Sequence, residues 1–523
     1  MALIRNPVLP GFNPDPSICR VGDDYYIATS TFEWFPGVQI HHSRDLVHWR
    51  LAARPLERRS QLDLLGCPDS GGIWAPCLTH ARGRFWLIFT NVRSLEGAFK
   101  DTPNFLVTAE RIDGPWSEPV PLNSSGFDPS LFHDDDGRQW LVNQLWDHRP
   151  SAPTRFAGIV IQAYDHAAQR LVGEPRLLHR GTALGISEGP HLYRRGGWVY
   201  LVLAEGGTSW QHAVSVLRAR RLDGPWEEHP DNPILTSLNT SARLQKAGHG
   251  SWIEAADGSW WLAHLCSRPV LPGHRCMLGR ETALQRLTWG EDGWPRLAHG
   301  GRVPAETVPG PDLPPAPWPA LPERRIFAGP RLPEEFQTLR QPLADDWAAF
   351  VPGGLRLIGR DSPASRFRHS LVARRLQAFR VRIATRVQAD PADLQQFAGL
   401  TAWYDTRTWF AVHVAWHESV GRCVRVAWSD DGAYGEDAAR IALAPGPVEL
   451  GADLAQGRLR FRFRQDGGAW QPIGPDCDAS KLSDDYGKGW HFTGAFVGIM
   501  ATDLSGRGMP AEFAWFDYAE APE

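Results

Sequence analysis

Three carboxylates, an indole and an imidazole stand at the heads of five similar stretches of this 523-residue chain. The stretches are "DPSICRVGDDYYIATS" from Asp15, "WAPCLTHARGRFWLIFT" from Trp74, "DPSLFHDDDGRQWLVNQ" from Asp128, "EGPHLYRRGGWVYLVLA" from Glu188 and "HGSWIEAADGSWWLAHL" from His249. Carboxylates are costly to gather in a partly dry pocket, so their company serves either metal binding or acid–base chemistry. Asp, Glu and His are all ligands, which makes a metal centre a fair competitor. Glycoside hydrolysis fits better. It needs one carboxyl that keeps its proton for the leaving oxygen and one that stays ionised to activate water or attack directly. A third carboxylate can hold the acid's pKa up by like-charge repulsion and orient it.

The elements that position these groups follow from the same stretches. Each reads as an apolar strand, a polar Gly turn and a second strand rich in aromatics, a hairpin of near-constant length. The five starts are 59, 54, 60 and 61 residues apart. Further strand-like text follows in each unit, often closed by a Trp phrase such as "RIDGPWSEP" or "RLDGPWEEH". Four strands make a blade, and five blades closing around an axis make a propeller. The plainer alternative is a β-rich domain without rotational symmetry. In a propeller the first strand of every blade lines the central channel, so Asp15, Trp74, Asp128, Glu188 and His249 converge at one end.

The remainder of the chain predicts a second all-β domain. Residues 1–303 form the propeller, 304–325 a proline-rich linker, and 326–523 a jelly-roll-like β-sandwich. The linker text "PAETVPGPDLPPAPWPALP" suits a stiff, extended connector. Beyond it, Arg380–Arg386 alternates basic and apolar residues as a half-buried antiparallel strand does. Trp403, Tyr404 and Trp409 could stack on sugar, but are better read as strand or core aromatics.

Bulk properties narrow the function. The 55 basic and 59 acidic residues nearly cancel, without a run of either sign, which disfavours nucleic acid and anionic membranes as partners. Only four lysines occur. No apolar run reaches the length of a membrane span, and the N-terminus lacks the apolar core of a signal peptide. Seven cysteines without CxxC spacing suit free thiols in a reducing, cytoplasmic setting. The 24 tryptophans and 23 phenylalanines suit a sugar-binding cleft and a β-rich core alike.

The segment "NPVLPGFNPDPSICRVGDDYYIATSTFEWFPGVQIHHSRDLVHW" resembles the opening of β-xylosidases of glycoside hydrolase family 43. The phrases "GGIWAPCL", "GFDPSLFHDDDGRQWLV", "SEGPHLY", "AGHGS" and "LGRETALQ" resemble later motifs of that family, and the likeness runs nearly to the end of the chain. The resemblance implies an inverting exo-glycosidase that releases xylose from xylo-oligosaccharides, with α-L-arabinofuranosidase side activity. Asp15 is then the general base, Glu188 the general acid, and Asp128 the group that tunes and orients the acid. Arg280 would contact the bound sugar. Phe32 and Trp74 would wall the terminal-sugar subsite, with Trp146 and Thr208 at its rim. Phe492, in "HFTGAFVG", would reach over from the sandwich and close the pocket. His249 would sit beneath it, near a cation such as calcium held through water, although the chemistry itself requires no cofactor. Relatives of this kind suggest a dimer or tetramer.

Rival readings remain distinguishable. Fructan-cleaving propeller enzymes carry an Asn-Asp-Pro-Asn phrase and a Glu-Cys acid motif, where this chain has "NPDPS" and "SEGP". An endo-arabinanase needs an open groove, and a non-catalytic sugar-binding propeller does not need three convergent carboxylates. "GISEG" matches the G-x-S-x-G elbow in form, but a hairpin follows it, so Ser187 is not a nucleophile. "HDDDG" falls at a hairpin turn and lacks the ligand spacing of a calcium loop.

Overall fold

A computed structural model describes residues 2–270 and 274–521. Its regular structure is strand throughout, save one short 3-10 turn at Ala479–Lys481. Five antiparallel sheets follow one another in the chain as blades I to V, four of them four-stranded and blade IV carrying a fifth short strand, Leu235–Thr236. Their first strands are Ser17–Val21, Gly72–Ala81, Ser130–His133, Ser187–Arg195 and Gln245–Glu254. These strands touch one another around the axis, and the strand of blade I touches those of both blade II and blade V. The expected five-bladed propeller is therefore present.

Local chemistry accounts for the hairpins. In blade II, Arg82 and Gly83 take φ of 54° and 72° between Ala81 and its partner Arg84. Two consecutive left-handed residues match the right-handed twist of the flanking strands. The ring closes without any strand shared between blades I and V. Ser251 Oγ of blade V donates to Pro16 O at 2.8 Å and accepts from Ile18 N at 3.0 Å. The N-terminal strand Leu3–Arg5 meanwhile pairs with Thr307–Pro309, beyond the last blade.

The proline-rich connector lies along the propeller. Ala316 N donates to Asp45 Oδ2 at 2.8 Å, and Trp318 takes the Arg50 guanidinium 3.8 Å from its ring centre. The sandwich begins with Arg324–Ile326, which pairs with Trp515–Asp517. Along Arg380–Ala389 the arginines 380, 382 and 386 are exposed while Val381 and Ile383 are buried, as the alternation requires. Trp403, Tyr404 and Trp409 are buried in the body of the domain and are not a sugar platform.

The propeller and sandwich share a sheet. Trp34–Phe35, from a loop of blade I, adds an edge strand to the sandwich by pairing with Phe336–Leu339. Trp34 stacks on Phe496 of the sandwich at 3.7 Å and 11°. Arg340, fully buried, donates to Cys67 O at 2.7 Å and to Asp69 Oδ1 at 2.6 Å on the propeller side. Backbone pairing, aromatic stacking and a buried ion pair thus fix how the sandwich meets the mouth of the propeller. All seven cysteines are buried and unpaired. No helix among the described residues is long and apolar enough to cross a membrane.

Candidate active site

Each blade places one residue in the left-handed region at an equivalent position, just before or within its first strand. These residues are Asp15, Ala75, Asp128, Gly189 and His249, with φ of 57°, 36°, 53°, 53° and 48°. Proline follows the first four and Gly250 the fifth. The true structural repeat therefore differs from the one read off the sequence. Trp74 and Glu188 lie one residue before the shared position, not on it. Glu188 starts one residue earlier than the two aspartates and has one more methylene with which to reach the same pocket. Gly189 is tightly packed where it stands: an added Cβ would lie 3.0 Å from His249 Nε2. Non-glycine residues held at such φ cost about 1–3 kcal/mol each, and they cluster where geometry must be exact for function.

The turns bring the three carboxyls into one cavity of about 360 Å³, together with His249, Phe32, Trp74, Trp146, Thr208, Arg280 and Phe492. Every residue singled out from the sequence as a site residue lines this space. Asp15 is held by Ser30 Oγ, which donates to Oδ2 at 2.7 Å, and by Arg280 Nη1, which donates to Oδ1 at 2.9 Å. His249 Nδ1 lies 3.6 Å from Oδ1. Burial alone would raise the Asp15 pKa, but Arg280, His249 and Ser30 together bring it below the ordinary carboxylate value. Asp15 is thus the ionised member.

Glu188 is in the opposite state. Burial and then the charge of Asp15 push its carboxyl up to about 7, against the pull of Lys100 and Arg280. Asp128 is also pushed well up, by burial, then Glu188, then Asp15, while the Gly189 amide donates to its Oδ2 at 3.2 Å. Asp128 and Glu188 both hold their protons to higher pH than free carboxyls, while Asp15 stays ionised in the same pocket. The environment alone sets these carboxyls in different protonation states.

The walls come from both domains. Trp74 packs edge-on against Phe492 at 5.4 Å and lies 5.9 Å from Phe32. Phe492 is pinned at both ends of the residue: its N–H donates to Ser70 Oγ at 3.0 Å and its carbonyl accepts from Arg280 Nη2 at 2.9 Å. Arg280 also donates to Thr208 Oγ1 at 2.8 Å, so one guanidinium links Asp15, the rim and the sandwich loop. Trp146 donates its indole N–H to Ala98 O and packs on Phe156 at 5.5 Å.

Sequence reasoning missed several lining residues, notably Lys100, Lys246, Phe127, Asp484, Asp485 and Trp490. Lys100 Nζ sits 4.6 Å from the Trp146 ring and 5.4 Å from that of Trp74. Lys246 Nζ donates to Asp485 Oδ1 at 2.7 Å and anchors the sandwich loop. A usable signal existed, since these are two of only four lysines in the chain. Ser187 is no nucleophile; its hydroxyl is buried and donates to Glu205 Oε2 at 3.0 Å, and a strand follows. Asp134 of "HDDDG" closes a hairpin turn and pairs with Arg194. As for a cation, the described residues contain no group of three or more His, Cys, Asp or Glu side chains placed to hold one. His249 offers one imidazole beside a carboxylate already engaged by Arg280.

A closed propeller pocket that keeps one carboxylate ionised and another carboxyl protonated near neutrality is equipped for acid–base cleavage of a sugar linkage. The chain belongs to the glycosyl hydrolases family 43, whose model matches residues 4–295. Residues 324–519 match the beta xylosidase C-terminal Concanavalin A-like domain. The protein is therefore a glycoside hydrolase. It is similar to xylosidase/arabinosidase 43B of Humicola insolens, 49% identical over 99% of this chain and 98% of that one. It is 43% identical to a xylan 1,3-beta-xylosidase from Vibrio sp, over 99% of each chain. A solved structure of xylan beta-1,4-xylosidase from Bacillus halodurans C-125 superposes with a TM-score of 0.97 at 51% identity, covering 99% of this chain and 100% of that one.

Proposed function

We propose that the protein is an inverting, exo-acting β-1,4-xylosidase that releases D-xylose from the non-reducing ends of xylo-oligosaccharides, with α-L-arabinofuranosidase side activity. The observation that carries this reading is the opposed state of two carboxyls in one pocket. Asp15 is held ionised by Arg280, His249 and Ser30, while Glu188 keeps its proton to about 7. Asp15 takes a proton from a water that attacks the anomeric carbon. Glu188 gives its proton to the departing glycosidic oxygen. The charge of Asp15 disfavours loss of that proton, and Asp128, oriented by the Gly189 amide, positions and tunes the acid. Phe32, Trp74 and Phe492 present ring faces and edges to the terminal sugar, and the sandwich loop closes the far side, which supports exo rather than endo action. Arg280 balances the charge of Asp15 and fixes Phe492.

The similar enzymes act on different linkages by name, so the β-1,4 preference rests on the family resemblance of the motifs and on the Bacillus halodurans likeness. Seven buried, unpaired cysteines suit a cytoplasmic enzyme that meets imported oligosaccharides. A homodimer or tetramer is the expected assembly, which sedimentation will reveal.

The test is proton NMR of the first-formed sugar from xylobiose. Inversion of a β-linkage yields α-xylose first; β-xylose first refutes the assignment of Asp15 as a base that activates water. Asp15→Ala and Glu188→Ala each lower kcat on xylobiose by at least about 10²–10⁴-fold with the fold retained. Full turnover by either folded variant refutes the roles of base and acid. A panel of β-1,4- and β-1,3-xylobiose with 4-nitrophenyl α-L-arabinofuranoside decides the linkage and the side activity.

A further inference from the structure

A second cavity, of about 590 Å³, lies where blade I, the proline-rich connector and the sandwich meet. Two guanidinium groups converge on its floor from different domains. Arg54 extends from the outer edge of blade I and Arg375 from the sandwich strand Ser370–Arg375. Both donate to one neutral oxygen, Gln39 Oε1: Arg54 Nη2 at 2.7 Å and Arg375 Nη1 at 2.9 Å. The other partners are neutral as well. Arg375 reaches Phe12 O and Gln337 Oε1, and Arg54 reaches Phe336 O. Among the described residues no carboxylate forms an ion pair with either arginine.

Nearby acids are already engaged or lie at the rim. Glu335 is taken by Arg325 at 2.6 Å, with Arg374 at 4.0 Å, and Glu334 is exposed. His41, on the same strand as Gln39 and two residues on, is buried and leaves Nδ1 without a partner, as Arg375 leaves Nη2. Arg375 is buried and Arg54 half-buried; Glu334 and Glu335 act on Arg54 only from beyond ion-pair distance, and no carboxylate offsets Arg375, although buried charges ordinarily meet an opposite charge. Guanidinium forks suit planar or tetrahedral oxyanions.

We propose that this cavity binds an oxyanion, the phosphate or carboxylate group of a small solute, between Arg54 and Arg375. The anion would neutralise both guanidiniums and tie blade I to the sandwich. The charges support this: burial lowers the pKa of Arg375, with the Arg54 charge adding to it, and burial followed by the two arginines pushes His41 down to about 3. An anion would counter the charge part of each of these effects. The apolar walls, Trp49, Leu51 and Trp318, leave room for a small organic body attached to the charged group.

The experiment is equilibrium dialysis of the full chain against radiolabelled inorganic phosphate, repeated with citrate as competitor. One phosphate per chain is expected, displaced by citrate if carboxylates are taken, unaffected by saturating D-xylose, and weakened at least tenfold in Arg54→Met. Arg54 lies outside the substrate pocket, so kcat/KM of that variant on an aryl xyloside should match the parent. Thermal denaturation provides a second readout: phosphate raises the midpoint over chloride of equal ionic strength in the parent and not in Arg54→Met. Absence of phosphate and citrate binding overturns the proposal. So does displacement by xylose, or undiminished binding by Arg54→Met. If Arg54→Met does not fold, Arg54→Lys takes its place and must still weaken phosphate binding, because it removes the planar fork.

Discussion

Ser30→Ala tests the electrostatic logic of the site with one atom. Ser30 Oγ donates to Asp15 Oδ2 at 2.7 Å and accepts from Ala75 N, also at 2.7 Å, so its proton is directed at the carboxylate. A hydrogen bond to a charged group is worth about 1.5–3 kcal/mol, and about 1.36 kcal/mol corresponds to one pH unit. Its loss penalises the ionised form of Asp15 only. If Asp15 is the base, the acid limb of the kcat/KM profile moves to higher pH by roughly one to two units. The alkaline limb, set by Glu188 at about 7, stays where it is. The bell therefore narrows from its acid side and its maximum falls. The assay is hydrolysis of 4-nitrophenyl β-D-xylopyranoside across the acid and alkaline limbs, with circular dichroism to verify the fold. An unmoved acid limb in a folded variant refutes the assignment of Asp15 as base, and a shift of the alkaline limb alone refutes the separation of the two groups.

Other expectations follow from the same structure. Glu205, fully buried, is pushed up to about 8 by burial from an ordinary 4.5. The folded state thus holds a proton that the unfolded state releases, and the resulting stability is complete below the ordinary value of 4.5 and lost as pH rises towards about 8. Glu205→Gln should remove about 1.4 kcal/mol per pH unit of that slope, read from urea midpoints across this range; an unchanged slope shows that Glu205 does not hold the proton. Trp34→Ala removes the aromatic that stacks on Phe496 across the domains and should cost about 3–5 kcal/mol, measured by denaturant unfolding. Phe492→Ala opens one wall of the pocket and should raise KM about 10–100-fold with a smaller change in kcat; an unaltered KM places the sugar elsewhere. Because the proposed steps use carboxyls alone, EDTA treatment should leave hydrolysis within about twofold, whereas loss of activity restored by calcium assigns a cation to the site.

Much of the fold was legible because hairpins are local. Gly turns, strand alternation and aromatic runs repeat five times, and each blade is built from continuous chain. The register of the repeat was less legible. Asp15 and Asp128 share a backbone turn with Gly189 rather than with Glu188; the proline after each of them marks that register in the sequence, and φ shows it. Lys100 and Lys246 carried a faint signal in their rarity, whereas Trp490 and Asp484 carried none. These two belong to a loop of another domain, and nothing within that loop specifies what it faces. Trp34–Phe35 reads as part of a propeller loop, yet it completes a sheet with the distant strand Phe336–Leu339.

The sequence by itself determined the all-β architecture, the two-domain order and the three acidic side chains, while the arginine that attends them came from the family resemblance. Those features depend on short-range pattern and residue type. Only the tertiary structure decided which carboxyl is ionised. Asp15, Asp128 and Glu188 are chemically alike in the unfolded chain; burial raises all three, and Asp15 alone is brought back down by Arg280, His249 and Ser30. Charge state depends on distance and desolvation, and both exist only once residues 15, 128, 188 and 280 share one pocket.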